Sequence, residues 1–109
     1  MNIHGCAFCE IVAGHRPADI IESWPDAVAF PPLAPVASGH VLVVSREHVA
    51  DVTDDPSVAA AVMRRASQIA KKPCNIITSA GEAAMQTVFH LHLHVVPRRP
   101  GDGLSLPWS

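Results

Sequence analysis

Three histidines alternate with apolar residues in one short stretch of the chain, HLHLHVV at positions 90–96. In an extended strand successive side chains point to opposite faces, so the three imidazoles would project from one side. The apolar residues would project from the other side into a core: Phe89, Leu91, Leu93 and Val95. Imidazoles two residues apart lie roughly 6.5–7 Å apart along a strand, which suits nitrogens arranged around one phosphate or one metal ion.

Two kinds of chemistry fit such a cluster. Neutral imidazole is a nucleophile near pH 7 and imidazolium donates to phosphate oxygens, so the histidines could attack phosphorus and stabilise the charge that develops there. Alternatively, three histidines could hold a catalytic zinc ion. The zinc enzyme is the weaker hypothesis, because no acidic residue lies within the histidine strand to act as its general base.

Several other stretches accompany the histidines in a fixed order. They are CAFCEIVAG (6–14), SGHVLVV (38–44), REHV (46–49), GEAA (81–84), QTV (86–88) and PR (97–98). Together with the triad they make the chain resemble the histidine-triad (HIT) superfamily, and within it the Hint-like branch, over nearly the whole length. The resemblance implies an α+β fold in which a five-stranded antiparallel sheet carries two helices, paired as a homodimer.

The resemblance also implies a reaction. His92, the middle histidine, would attack the α-phosphorus of a purine nucleotide conjugate, either a nucleoside phosphoramidate or a dinucleoside polyphosphate. Water would then hydrolyse the nucleotidyl-histidine. His94 and His40 would hold the phosphate, and the backbone of His90 would keep His92 in the reactive tautomer.

The substrate-binding positions match the family only in part. Gln86 and Thr87 occupy positions that meet the phosphate and the leaving group in the family. Pro32 stands where the family has an acid that holds the ribose hydroxyls, Ser79 replaces an Asn, and Met85 replaces the glycine before the Gln. These differences predict altered nucleotide recognition and leave an alternative open, a HIT-fold module that binds nucleotides or proteins with little turnover.

Cys6 and Cys9 form a CxxC pair, which can present two thiolates to one zinc ion. A reduced pair without metal and a redox pair are the alternatives; the redox reading lacks a thioredoxin-like βαβ context. The resemblance implies a structural zinc whose ligands are Cys6, Cys9, His48 and His90. Such a site would tie the N-terminal segment to the sheet of a small domain.

The bulk properties predict one soluble domain. The chain has 109 residues, is 49% hydrophobic and carries a net charge of −2. We expect a single domain over 1–109, with an N-terminal helical segment at 1–14 and an irregular tail at 97–109. The scattered basic residues predict no nucleic-acid partner, and no apolar run is long enough to span a membrane. With no signal peptide and three cysteines, the predicted location is cytoplasmic.

Local patterns predict the secondary structure. Helices are expected over 7–13, ended by Gly14, and from the start signal Asp54-Asp55-Pro56 to Pro73. In the second helix an apolar stripe recurs at helical spacing: Val58, Val62, Ala66 and Ile69. Strands are expected over 20–24, 27–30, 41–44, 74–78 and 87–96, with loops at 31–35 and 79–86.

Overall fold

The computed structural model describes residues 5–106. Within them the order of elements is α1 (Ala7–Val12), β1 (Glu22–Ser23), β2 (Ala27–Phe30), β3 (Val41–Ser45), α2 (Pro56–Ile69), β4 (Cys74–Ile77) and β5 (His92–Pro97). A 3₁₀ turn, Glu82–Ala84, lies between β4 and β5. Positions 1–4 and 107–109 of the predicted domain lie outside the described residues.

The five strands form one antiparallel sheet in the order β1-β2-β3-β5-β4. The predicted α+β class, with a five-stranded antiparallel sheet and two helices, is therefore confirmed. Strand β5, which carries His92 and His94, lies between β3 and β4. His94 pairs with Leu42 of β3, and His92 pairs with Val44.

The two faces of the sheet are covered by different helices. One face packs on α2 through a buried cluster that includes Ala27, Ala29, Val43, Val62, Ala66, Leu91, Leu93 and Val95. The other face packs on α1 through Phe8, Val28, Phe30, Leu42 and Val44. Because side chains alternate, the histidines of β5 lie on the α1 face. The Phe8 ring is 5.0 Å from the His92 ring and 6.0 Å from the His90 ring between centroids.

Helix α2 begins where the sequence predicts. The Asp55 carboxylate accepts hydrogen bonds from the backbone N–H groups of Ser57 and Val58, at 2.9 and 3.3 Å, and Pro56 occupies the first turn. The predicted apolar stripe meets the sheet, with Val62 and Ala66 fully buried. No described helix has the length and apolar character needed to cross a membrane.

The triad strand is shorter than predicted, since β5 begins at His92 rather than at residue 87. The Leu91 N–H donates to the Val49 carbonyl, at 2.9 Å, in the loop after β3 instead of joining the strand ladder. The expectation that Phe89 enters the core is also wrong, because this side chain is 49% exposed. His90, just before the strand, still faces the α1 side together with His92, as the Phe8 contacts require.

Candidate functional site

The triad face opens into a groove of about 660 Å³ between α1, the end of β2 and the segment before β5. Most of its lining is apolar, from Phe8, Ile11, Phe30, Leu42 and Val88 among others. His92 and His94 also line it. An apolar groove with a few convergent polar groups is the usual form of a small-molecule site.

The hydrogen bond of His92 defines its reactive atom. The His92 Nδ1 lies 2.7 Å from the backbone oxygen of His90. A carbonyl oxygen only accepts, so Nδ1 must carry the proton and Nε2 must carry the lone pair. His90, which supplies this oxygen, lies two residues before the start of β5. The neutral ring therefore has the tautomer that a nucleophile attacking through Nε2 requires.

A second chain of hydrogen bonds sets the tautomer of His94. The Val36 N–H donates to His40 Nδ1 at 3.1 Å, so the proton of the His40 ring is on Nε2. That Nε2–H donates to His94 Nδ1 at 3.0 Å, which leaves the His94 proton on Nε2. His94 thus offers the groove an N–H donor beside the lone pair of His92, and the two ring centroids are 5.2 Å apart.

Burial keeps these rings neutral. It lowers the pKa of His40 and of His92, although the hydrogen bond to His90 opposes the change at His92. Burial, together with the nearby His92 and His40, lowers the pKa of His94 to about 4. Neutral rings at pH 7 are compatible with the hydrogen-bond directions given above.

His40 reaches this position because of a glycine. Gly39 has a φ of +84°, a conformation that side-chain-bearing residues rarely adopt, and a Cβ there would lie 3.2 Å from Pro97 Cγ. The turn delivers His40 to the start of β3, where it is 5% exposed and packs beside His94 with ring centroids 5.2 Å apart.

The other predicted substrate-binding residues also line the groove: Pro32, Ser79, Gln86 and Thr87. The Gln86 side chain is buried and engaged within the chain. Its oxygen accepts from the Gly81 N–H at 2.7 Å, and its nitrogen donates to the Ala50 and Val88 carbonyls at 2.7 and 3.1 Å. Both amide hydrogens are thus used to hold the loop, whereas Thr87 is exposed at the groove.

The predicted zinc ligands come together at the N-terminal end of α1, where Cys6 is the N-cap and Cys9 lies in the first turn. The ligand atoms of Cys6, Cys9, His48 and His90 all lie within 4.8 Å of one another. The His90 Nε2–H donates to the Ser45 carbonyl at 2.6 Å, so His90 Nδ1 carries the lone pair that points at the sulfurs. Within residues 5–106 the three histidines of the triad are not grouped as ligands of one metal ion, since the His90 ring belongs to the cluster with the two cysteines and His48.

The distances in this cluster are close to those around a tetrahedral Zn²⁺ ion, except that Cys9 and His48 lie nearer to each other than two ligands of one ion would. With ordinary zinc bond lengths, ligands would be separated by roughly 3.3 Å for two nitrogens and roughly 3.6 Å for nitrogen and sulfur. The two histidine Nδ1 atoms are 3.2 Å apart, and Cys9 Sγ lies 3.0 Å from His48 Nδ1 and 3.4 Å from His90 Nδ1. Cys6 Sγ is 3.3 Å from His90 Nδ1. Burial and the neighbouring Cys6 raise the pKa of the Cys9 thiol to about 11, which a cation would reverse.

Comparison with known proteins decides the family. A family model described as the HIT domain matches residues 13–101. The chain belongs to the HIT domain family. This HIT protein is 40% identical over 111 residues to an uncharacterized HIT-like protein of Mycobacterium tuberculosis, covering 93% of this chain and 76% of the relative.

Two further comparisons bear on the sites. This HIT protein is 30% identical over 109 residues to an adenosine 5′-monophosphoramidase of Schizosaccharomyces pombe, covering 94% of this chain and 82% of the relative. It also resembles the crystal structure of a Zn-bound histidine triad family protein from Mycobacterium smegmatis. That match has a TM-score of 0.90 and 38% identity, and covers 95% of this chain and 82% of the other.

Three contributors to the sites were not predicted. Val36 and Ser45 act through backbone groups, which set the tautomers of His40 and His90, and no sequence signal marks such a role. Asp19 lines the groove from the segment between α1 and β1. A lone acid in a loop has no motif, so only the fold could reveal its place.

Proposed function

We propose that this HIT protein hydrolyses purine nucleotide conjugates at the α-phosphate through a nucleotidyl-histidine formed on His92. The substrate class is a nucleoside phosphoramidate or a dinucleoside polyphosphate. One observation carries the proposal: the hydrogen bonds give His92 a lone pair on Nε2 and give the adjacent His94 a proton on Nε2. A nucleophile and a donor for a phosphoryl oxygen therefore line the same groove.

The reaction follows from these atoms. His92 Nε2 attacks the α-phosphorus and forms a P–N bond while the bond to the amine or phosphate leaving group breaks. The leaving group departs protonated: the Thr87 hydroxyl, exposed at the groove, gives it a proton and takes another from solvent water, so the hydroxyl itself is unchanged. His94 Nε2–H stabilises the charge on the phosphoryl oxygens. Water then attacks the same phosphorus, so that a P–O bond forms while the P–N bond to His92 breaks, and a proton of the attacking water passes to the solvent. This releases the nucleoside monophosphate and restores neutral His92.

We propose that Cys6, Cys9, His48 and His90 hold a structural Zn²⁺ ion. The ion would cross-link α1 to the sheet and would take no part in the reaction. His90 connects the two sites, because its ring belongs to the metal cluster while its backbone oxygen holds His92. The Zn-bound Mycobacterium smegmatis structure supports the assignment.

The alternative is a HIT-fold module that binds nucleotides or a protein partner with little turnover. It is favoured by the groove wall, where Met85 is 81% exposed and the Gln86 amide is already occupied within the chain. The homodimer, the lack of a nucleic-acid partner, the domain bounds and the cytoplasmic location stay predictions. The mass of the purified protein in solution would test the first of these.

A hydrolysis assay tests the proposal. The protein is incubated with adenosine 5′-phosphoramidate, and AMP release is followed by chromatography. We expect turnover by the unmodified chain and by His15→Ala, a matched control at an exposed histidine outside the groove. His92→Ala should reduce turnover by about a thousandfold or more, as loss of a covalent nucleophile does. Equal rates for His92→Ala and the unmodified chain would refute the mechanism.

A further inference from the structure

Asp19 is the carboxylate of the groove. Among the described residues that line this groove, it is the only acidic one. It is exposed, and within residues 5–106 no hydrogen bond or ion pair engages its side chain. The nearby Arg16 also lines the groove but pairs with Glu10, at 2.6 Å. The Asp19 oxygens are therefore available to accept hydrogen bonds from a ligand.

The strand pairing places Asp19 on a particular part of the wall. Glu22 of β1 pairs with Ala29 of β2, and the Ile21 N–H donates to the Ala29 oxygen at 2.8 Å. Because the two strands are antiparallel, residues before Glu22 lie opposite residues after Ala29. Extending this pairing places Asp19 opposite Pro31 and Pro32, and all three residues line the groove. The two prolines have apolar rings and no backbone N–H, so the facing wall offers no charge and no donor.

We propose that Asp19 accepts hydrogen bonds from the ribose hydroxyls of the bound nucleotide and thereby selects ribonucleotides. This inference rests on the proposed function for the placement of the phosphate at His92 and His94. Once the phosphate is there, the ribose is the next polar group along the groove, and the apolar walls suit the base. The two vicinal hydroxyls provide two donors, which match the two oxygens of one carboxylate.

Binding measurements test this without relying on turnover. Calorimetry would compare AMP with 2′,3′-dideoxy-AMP on the unmodified chain, on Asp19→Ala and on Glu22→Ala. Glu22 is a matched control, because it is an exposed acid of β1 outside the groove. We expect the unmodified chain and Glu22→Ala to prefer AMP by on the order of 10-fold, as charge-assisted hydrogen bonds allow.

Asp19→Ala should reduce this preference to less than about 3-fold by weakening AMP binding alone. Dideoxy-AMP should bind the variant and the unmodified chain equally. An unchanged preference in Asp19→Ala, or no preference in the unmodified chain, would overturn the inference. Equal weakening for both nucleotides would overturn it too, and would indicate contact with the base or the phosphate.

The result is separable from the proposed hydrolysis. If the protein prefers AMP through Asp19 but releases no product from the phosphoramidate, hydrolysis fails and the ribose contact stands. If it hydrolyses the phosphoramidate and Asp19→Ala keeps the preference, only the ribose contact fails.

Discussion

Replacing Met85 with glycine should stabilise the protein. Met85 has a φ of +71° and is the one non-glycine residue with positive φ in the described part of the chain. That conformation costs a side-chain-bearing residue roughly 1–2 kcal/mol. Glycine avoids this cost but loses about 0.5–1 kcal/mol through the greater freedom of the unfolded chain. Since the Met85 side chain is 81% exposed, little packing is lost, and Met85→Gly should gain about 0.5–1 kcal/mol.

Urea denaturation at pH 7 and a thermal melt would measure this gain. The midpoint of the melt should rise by about 2–5 °C, from the usual unfolding entropy of a domain of this size. Ala84→Gly is the matched control, because Ala84 is the exposed neighbour in the 3₁₀ turn and has an ordinary negative φ. It should lose about 0.5–1 kcal/mol. Equal destabilisation by both variants would refute the account of strain at Met85.

Three further predictions concern the two sites. Cys9→Ser should abolish equimolar zinc in the purified protein, measured by a chromogenic chelator, and lower the melting midpoint, whereas Cys74→Ser outside the cluster should retain the metal. The folded pKa of His94, about 4, lies below its unfolded value, so the unfolded chain binds more protons as the pH falls. Urea titrations at pH 7 and pH 5 would give the free energy of unfolding of the unmodified chain and of His94→Gln. Between these pH values the unmodified chain should lose about 1 kcal/mol more than the variant, a figure already reduced for the partial exposure of His94. His40→Ala should slow phosphoramidate hydrolysis about 10- to 100-fold. The double variant with His94→Ala should be slowed much less than the product of the two single effects, because both substitutions break the same hydrogen bond between His40 and His94.

The features predicted from the sequence are those that local patterns encode. The alternation at 90–96 assigns His92 and Leu93 to opposite faces wherever the strand lies, because side chains alternate along any strand. The Asp55-Pro56 pair marks the start of α2 through interactions within one turn. The ligand set Cys6, Cys9, His48 and His90 followed from family resemblance, since spacing in the sequence does not bring position 9 to position 48.

The features that could not be predicted depend on contacts between distant segments. The strand begins at His92 because the Leu91 N–H bonds to the Val49 oxygen, and no local pattern near residue 91 encodes that partner. The exposure of Phe89 follows from the same departure from the sheet. Likewise, the Val36 N–H sets the His40 tautomer only because the turn at Gly39 brings the His40 ring back to Val36.

Trapping of the intermediate would show which histidine is the nucleophile. The protein is mixed with adenosine 5′-phosphoramidate, quenched in alkali to preserve the P–N bond, digested and analysed by mass spectrometry. We expect an adenylyl group on His92, present in His15→Ala and absent in His92→Ala. AMP release without any adduct, or an adduct on His94 or His40 instead, would contradict the assignment of His92 as the nucleophile.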